Sequence, residues 1–254
     1  MEACSQIFLT VNTGKWLIAQ AVLELDCVKA ALQSGKVVLK GGTTVSCISE
    51  LLLDYPLKIS GRLTPKGALP NRHVTRQAYG ILVENGAARG IDSEVEECVV
   101  RLGPGDVVIA GANLIDAQGN AAVLAGSPGG FRWGRAMAAM CTEGARVIIP
   151  AGLEKLTPGS VTEAIKSARR KNIDQYEGMS CGLFPVVGDI ITELEAVRLL
   201  ADVEACVIGR GGIHGGEGGT LLQIHGEADE LTRLQKIVHL CQEKKTGGDP
   251  VSLF

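Results

Sequence analysis

Aromatic side chains are scarce, with four Phe, three Tyr and two Trp in 254 residues. That is too few to supply stacking platforms, and a formal net charge of −3 with scattered basic residues leaves no electrostatic footprint for nucleic acid. Histidine is as thin, at four residues, and no HxxxH or paired Cys/His spacing occurs, so no metal site is expected. The eight cysteines stand singly, without a CxxC pair and mostly inside apolar runs, which reads as reduced, buried thiols of a cytoplasmic chain. Apolar runs stay well short of the ~18 residues that would span a bilayer. The opening MEACSQIF lacks a basic region followed by an apolar core, so neither a signal segment nor a membrane partner is expected. A GxGxxG with its downstream acid is also missing, so no dinucleotide is expected, and the sequence points to no cofactor by name.

What the chain does have is glycine, 33 residues, about twice the usual ~7%. With 46% apolar and 21% charged residues it has a globular core and, beyond that, many tight or closely approached backbone positions.

Apolar spacing predicts a helix from Lys15 to Leu32, ended by Gly35. Val37-Val38-Leu39 is a β-branched strand, and Gly41-Gly42-Thr43-Thr44 turns it into a helix running to Leu53. Strands are expected at Leu57–Leu63 and Tyr79–Val83, the second closing on Asn85-Gly86. A helix with a Ser93/Glu96 capping box should follow. Val107–Ala110 and Arg146–Pro150 are apolar throughout, as parallel strands covered on both faces are, and an Ala/Met-rich helix, Gly134–Cys141, lies between them. Alternation of this kind implies an α/β layer, a Rossmann-like and mainly parallel sheet flanked by helices, over residues 1–176. Beyond that, Leu183–Val187, a helix from Thr192 to Leu200 with a Thr192/Glu195 box, Ala205–Ile208, Thr220–Ile224 and a helix from Ala228 to Cys241 follow in β-α-β-β-α order. This predicts a smaller ferredoxin-like α+β domain over 177–254, with Val251–Phe254 as the missing strand.

Three glycine-rich turns carry the candidate chemistry. At Lys40-Gly41-Gly42-Thr43-Thr44 a strand ends and a helix begins, so unpaired N–H groups, the positive helix end and two hydroxyls are offered to an anion. The turns Gly111–Asn120 and Gly126–Gly130 flank a short strand and place Gly111, Asn113, Asp116, Asn120, Gly126, Ser127, Gly129 and Gly130 near strand ends. Asp116 is the nearest candidate base. The same Asp-Ala-Gln-Gly stretch also reads as an ordinary turn. Lys155 follows a strand on the same edge and is placed to contact a phosphate. The loop Gly209–Gly219 holds seven glycines in eleven residues, which suggests a mobile lid or a close approach to another subunit, with His214 and Glu217 as an acid/base pair.

Taken together, VVLKGGTTVSCISELL, DVVIAGANLIDAQGNAAVLAGSPGGFRWGRAMA and ARVIIPAGLEKL resemble the superfamily that joins type A ribose-5-phosphate isomerase, glucosamine-6-phosphate deaminase, the CoA transferases and the initiation-factor-2B/methylthioribose-1-phosphate isomerase group. The resemblance covers roughly residues 35–156. It implies a phosphate held at Gly41–Thr44 and a ferredoxin-like second domain. The positions of the isomerase acids are occupied by Ala110 and Asn113, and its lysine by Leu124 or Ala125, so the usual enediol chemistry is not carried over. Val83-Glu84-Asn85-Gly86 is similar to the glutamate string of the CoA transferases and makes Glu84 a candidate nucleophile, although Asn-Gly is also a hairpin signal. Three readings follow. The chain binds a small anionic metabolite, a phosphorylated sugar or a CoA ester, as a divergent isomerase-like enzyme; or it binds such a ligand without turnover, as a regulatory protein; or it transfers acyl groups through Glu84. The sulfur- and alanine-rich helix adds the expectation of a homo-oligomer.

Overall fold

The computed structural model describes residues 2–253. The chain opens on β1 (Glu2–Leu9), then α1 (Val11–Glu24) and α2 (Asp26–Ser34). The helical spacing over Lys15–Leu32 therefore belongs to two helices, because Leu25 is extended (φ −62°, ψ 130°) and stands between them. No glycine or proline marks this break. β2 (Lys36–Lys40) leads through Gly41-Gly42 into α3 (Thr43–Leu53), and β3 (Gly61–Thr64) and β4 (Gly67–Pro70) form a hairpin. A second hairpin joins β5 (Gly80–Glu84) to β6 (Ala87–Gly90), turned at Asn85 and Gly86 with φ of 51° and 73°, as a two-residue Asn-Gly turn requires. α4 (Val95–Val100) follows without the expected capping box. Asp92 just before it accepts instead from Tyr79 N–H and Gly80 N–H, and Glu96 pairs with Arg135 at 3.4 Å.

β7 (Val107–Ala110), β8 (Leu114–Ile115), β9 (Ala121–Ala125), α5 (Phe131–Thr142), β10 (Arg146–Pro150) and α6 (Val161–Ser167) complete the middle of the chain. The last part contains β11 (Gly182–Val186), β12 (Asp189–Ile191), α7 (Glu193–Leu200), β13 (Val203–Gly211), β14 (Gly219–Glu227), α8 (Ala228–Gln242) and α9 (Pro250–Leu253). The Thr192/Glu195 capping box at α7 is formed.

The main sheet has six strands in the order β12-β10-β7-β2-β5-β6. The first four run parallel, β5 is antiparallel to β2, and β6 turns back antiparallel to β5. Strand alternation divides the buried side chains between two faces. Val37, Leu39, Val107, Ile109 and Ile148 face the layer that holds α1, α2, α3 and α7. Val38, Val108, Ala110, Val147 and Ile149 face α4 and α5. These are the doubly covered apolar strands expected from their composition.

The expected division at residue 177 coincides with no break in pairing or packing. β1, from the start of the chain, pairs antiparallel with β14 in a three-stranded sheet of order β1-β14-β13. β12 joins the main sheet beside β10, and β11 pairs with β9. The core of the small sheet (Leu9, Ala205, Leu222, Ile224) and of α8 (Leu231, Leu234, Val238) is continuous with that of α1 and the main sheet. The expected ferredoxin-like order is corrected in the same way. Leu183–Val187 goes to β9, β1 takes the vacant place, and Val251–Leu253 is helical, with Phe254 outside the described residues. Among the described residues no helix is long and apolar enough to cross a membrane.

Candidate anion site at the end of the central strand

β2, β7 and β10 run parallel, so their C-terminal ends meet on one edge of the sheet, where open α/β sheets form ligand crevices. β2 ends in Lys40, which lies opposite Ala110 of β7 and Gly80 of β5. The lysine is 5% exposed and its Nζ stands 5.9 Å from the centre of the Trp133 ring. A β-carbon on Gly80 would overlap Trp133 Cζ2, so that glycine is what lets the indole lie against the strand end beneath the ammonium group. No carboxylate partners Lys40 among the described residues.

Gly41 donates its N–H to Tyr79 O at 2.8 Å, and a β-carbon there would come within 2.5 Å of that oxygen. Gly42 is extended, and a β-carbon on it would meet nothing within 4 Å. It is the N-cap of α3, without a side-chain cap, and the first helical bond is Ser46 N–H to Gly42 O at 2.7 Å. The N–H groups of Thr43, Thr44 and Val45 therefore precede the hydrogen-bonded ladder and have no acceptor among the described residues. Thr44 is 2% exposed, and its Oγ1 is buried without a partner.

These groups line a cavity of about 430 Å³. Its other walls are the β7–β8 turn (Gly111, Ala112, Asn113), the end of β9 with Gly126 and Ser127, the β3–β4 hairpin, Tyr79, and Lys155 from the turn after β10. Among the described residues four basic side chains line it, Lys15, Lys40, Arg62 and Lys155, and no carboxylate does. Asn113 accepts from Leu124 N–H at 3.0 Å, and its amide nitrogen has no acceptor among the described residues. No family model, curated protein or solved structure matches the chain.

Of the residues marked in the sequence, Lys40, Gly41, Gly42, Thr43, Thr44, Gly111, Asn113, Gly126, Ser127 and Lys155 come together at this cavity. Gly126 serves packing, since a β-carbon there would lie 2.6 Å from Met179 Sδ. Gly129 and Gly130 line a separate apolar groove of about 460 Å³ along α5 and β11. Glu84 does not belong to the site. It lies opposite Lys36 at the other end of β2, with an ion pair at 3.7 Å, so the nucleophile reading is withdrawn. His214 and Glu217 do not line the cavity either; Glu217 accepts from Gly215 N–H within its own loop, and Arg210 at the base of that loop bonds Leu153 O.

Asp116 is not a base. It is 5% exposed and accepts from Gln118 N–H, Asn120 N–H, the Asn120 amide and Val161 N–H, at 2.9–3.1 Å. Asn120, the other expected ligand contact, is spent on this carboxylate. The group ties the β8–β9 turn to the start of α6. Burial works to raise its pKa, and the donated hydrogen bonds outweigh that and hold it below the ordinary aspartate range. Asp116→Ala should lower the melting temperature by several degrees while leaving any ligand-induced shift intact. The charged group stabilises the fold above the unfolded pKa, and its contribution is lost as pH falls through the lower folded value. The gap between wild type and variant should therefore narrow as pH falls through and below the ordinary aspartate range. A constant gap from pH 7 to pH 3 would contradict the assignment.

Two carboxylates that the sequence reading did not single out stand behind the cavity wall. Glu193, at the start of α7, is 3% exposed and accepts from Leu153 N–H at 2.8 Å. Glu154 lies 3.9 Å from Lys155 Nζ through one oxygen, and its other oxygen is buried without a partner. A β-carbon on Gly152 would overlap Glu154 Oε2 and lie 2.9 Å from Glu193 Oε1, so the two acids converge on that glycine. Burial first, then the neighbouring Glu154, pushes the Glu193 carboxyl up to about 6 against the hydrogen bond from Leu153. The Lys155 ammonium is lowered by burial and by Lys15, against the opposing pull of Glu154 and Glu193. Lys15 and Glu193 escaped notice because each sits inside a helix far along the chain from the glycine turns.

Proposed function

We propose that the protein binds a small phosphorylated metabolite at the N-terminus of α3, on the edge of a Rossmann-like sheet of the isomerase/CoA-transferase kind. The observation that carries this reading is a cavity lined, among the described residues, by four basic side chains and no acid at the free N-terminus of α3, where the Thr44 hydroxyl is buried without a partner. A dianionic phosphate at the start of α3 would be held by backbone N–H groups, the Thr44 hydroxyl and the Lys40 ammonium group, with the helix dipole adding to the attraction. The volume of about 430 Å³ suits a sugar phosphate or the phosphate-bearing part of a larger ester. The order of the glycine turns along the chain supports the same kinship, and the absence of the isomerase acids at Ala110 and Asn113 separates this chain from that enzyme's chemistry.

The test is thermal denaturation against sugar phosphates, free CoA, acyl-CoAs and inorganic phosphate. A ligand at about 100 times its dissociation constant adds about 2.7 kcal/mol and raises the melting temperature visibly. One class should give a selective shift, and Thr44→Val should reduce it. No shift from any phosphate compound would overturn the proposal.

A further inference from the structure

With the phosphate held at α3, the same cavity also presents the amine of Lys155. Its side chain is 19% exposed, lines the cavity, and comes from the turn after β10, a different element from Lys40 and Thr44. Behind it lie the convergent carboxylates of Glu154 and Glu193, one oxygen of the former buried and unpartnered. We infer that Lys155 is a carbonyl-reactive amine and that the metabolite is a phosphorylated aldehyde or ketone, condensed with Lys155 as an imine while Glu154 and Glu193 hold the exchanged protons. The inference rests on the phosphate reading of the cavity.

The step balances without an external redox partner. Uncharged Nζ adds to the carbonyl carbon as the π pair moves to oxygen; one Nζ proton passes to a carboxylate of the pair, and the oxygen takes a proton from water. The carbinolamine hydroxyl takes a second proton from water and leaves as water as its C–O bond breaks and the nitrogen lone pair forms C=N, while the remaining Nζ proton passes through the carboxylate pair to solvent. The groups facing Lys155 are Glu154 on its own turn, Lys15 on α1 and Glu193 on α7; burial and Lys15 lower the ammonium's pKa against the pull of the two acids, which brings the uncharged amine within easier reach. The paired acids are positioning residues that act through Lys155.

The experiment uses glycolaldehyde phosphate with cyanoborohydride at pH 7, which reduces an imine to a stable secondary amine that peptide mass spectrometry can locate. Lys155 should be labelled at least tenfold faster than the exposed Lys66 and Lys171, and inorganic phosphate should suppress that labelling alone. In a Glu154→Gln/Glu193→Gln variant the labelling rate should fall and its dependence on pH should change, with the phosphate-induced melting shift retained as a check on folding. If phosphate stabilises the protein and Lys155 is labelled no faster than the surface lysines, the imine assignment is overturned and the cavity reading stands. If phosphate neither stabilises nor protects, the cavity reading falls and this one with it.

Discussion

Lys40→Met is expected to weaken binding of the phosphate ligand roughly 10- to 100-fold, the range for losing one or two charge-assisted hydrogen bonds. The ligand-free protein should melt at the same temperature or higher. Lys40 is buried to 5% exposure with no carboxylate beside it among the described residues, and an ammonium group in that position costs desolvation that the Trp133 ring offsets in part and an anion from outside offsets further. Methionine keeps the length of the stem and removes the charge. A residue present for stability would behave in the opposite sense, since its loss would destabilise the free protein. Titration calorimetry with the ligand that gives the selective melting shift, together with melts of the free variant, reads both quantities. An affinity within twofold of wild type would remove Lys40 from the site.

Trp133→Ala should cost about 3–5 kcal/mol of folding stability, the range for an aromatic ring removed from a core. Trp133 is 6% exposed, meets Tyr79 edge to face with centroids 6.4 Å apart, and occupies the space that Gly80 leaves open. The ring is also the floor under the Lys40 ammonium, so the variant should lose ligand affinity as well. Urea unfolding measures the first effect and calorimetry the second. A loss of less than about 1 kcal/mol would mean that neighbouring side chains refill the space, and that the indole is not what fixes the end of β2.

The central sheet was legible because its strands are short β-branched runs that tolerate burial on both faces, as Val107–Ala110 and Arg146–Pro150 show. The glycine turn after β2 was legible for a related reason, since Gly41 has no alternative against Tyr79 O. Other parts were hidden by distance along the chain. β1 alternates exposed and half-buried residues with few strong hydrophobics, and its partner lies more than two hundred residues away, so nothing local declares it a strand of the second sheet. Lys15 and Glu193 reach the site through helix packing that no spacing rule encodes. Asp116 illustrates the reverse error. A carboxylate at a strand end suits a catalytic base and a turn equally well, and counting its acceptor bonds decides for the turn. Glu84 was misread because a string of residues says nothing about which end of a strand faces the ligand edge.

Pairing β1 with β14 also bears on how the chain is made. Cys4 and His225, neighbours across those strands, are 221 residues apart. Synthesis proceeds at about 5–20 residues per second, so β1 waits roughly 10–45 s at the ribosome before its mate emerges. During that interval α1 and the parallel strands can collapse, but the small sheet cannot close over them. The apolar side of β1 and the underside of α1 stay open to whatever else the cell contains. The nascent chain thus carries a long-lived adhesive edge, and a folding helper that shields it until late in translation would decide how much of the product reaches the native state.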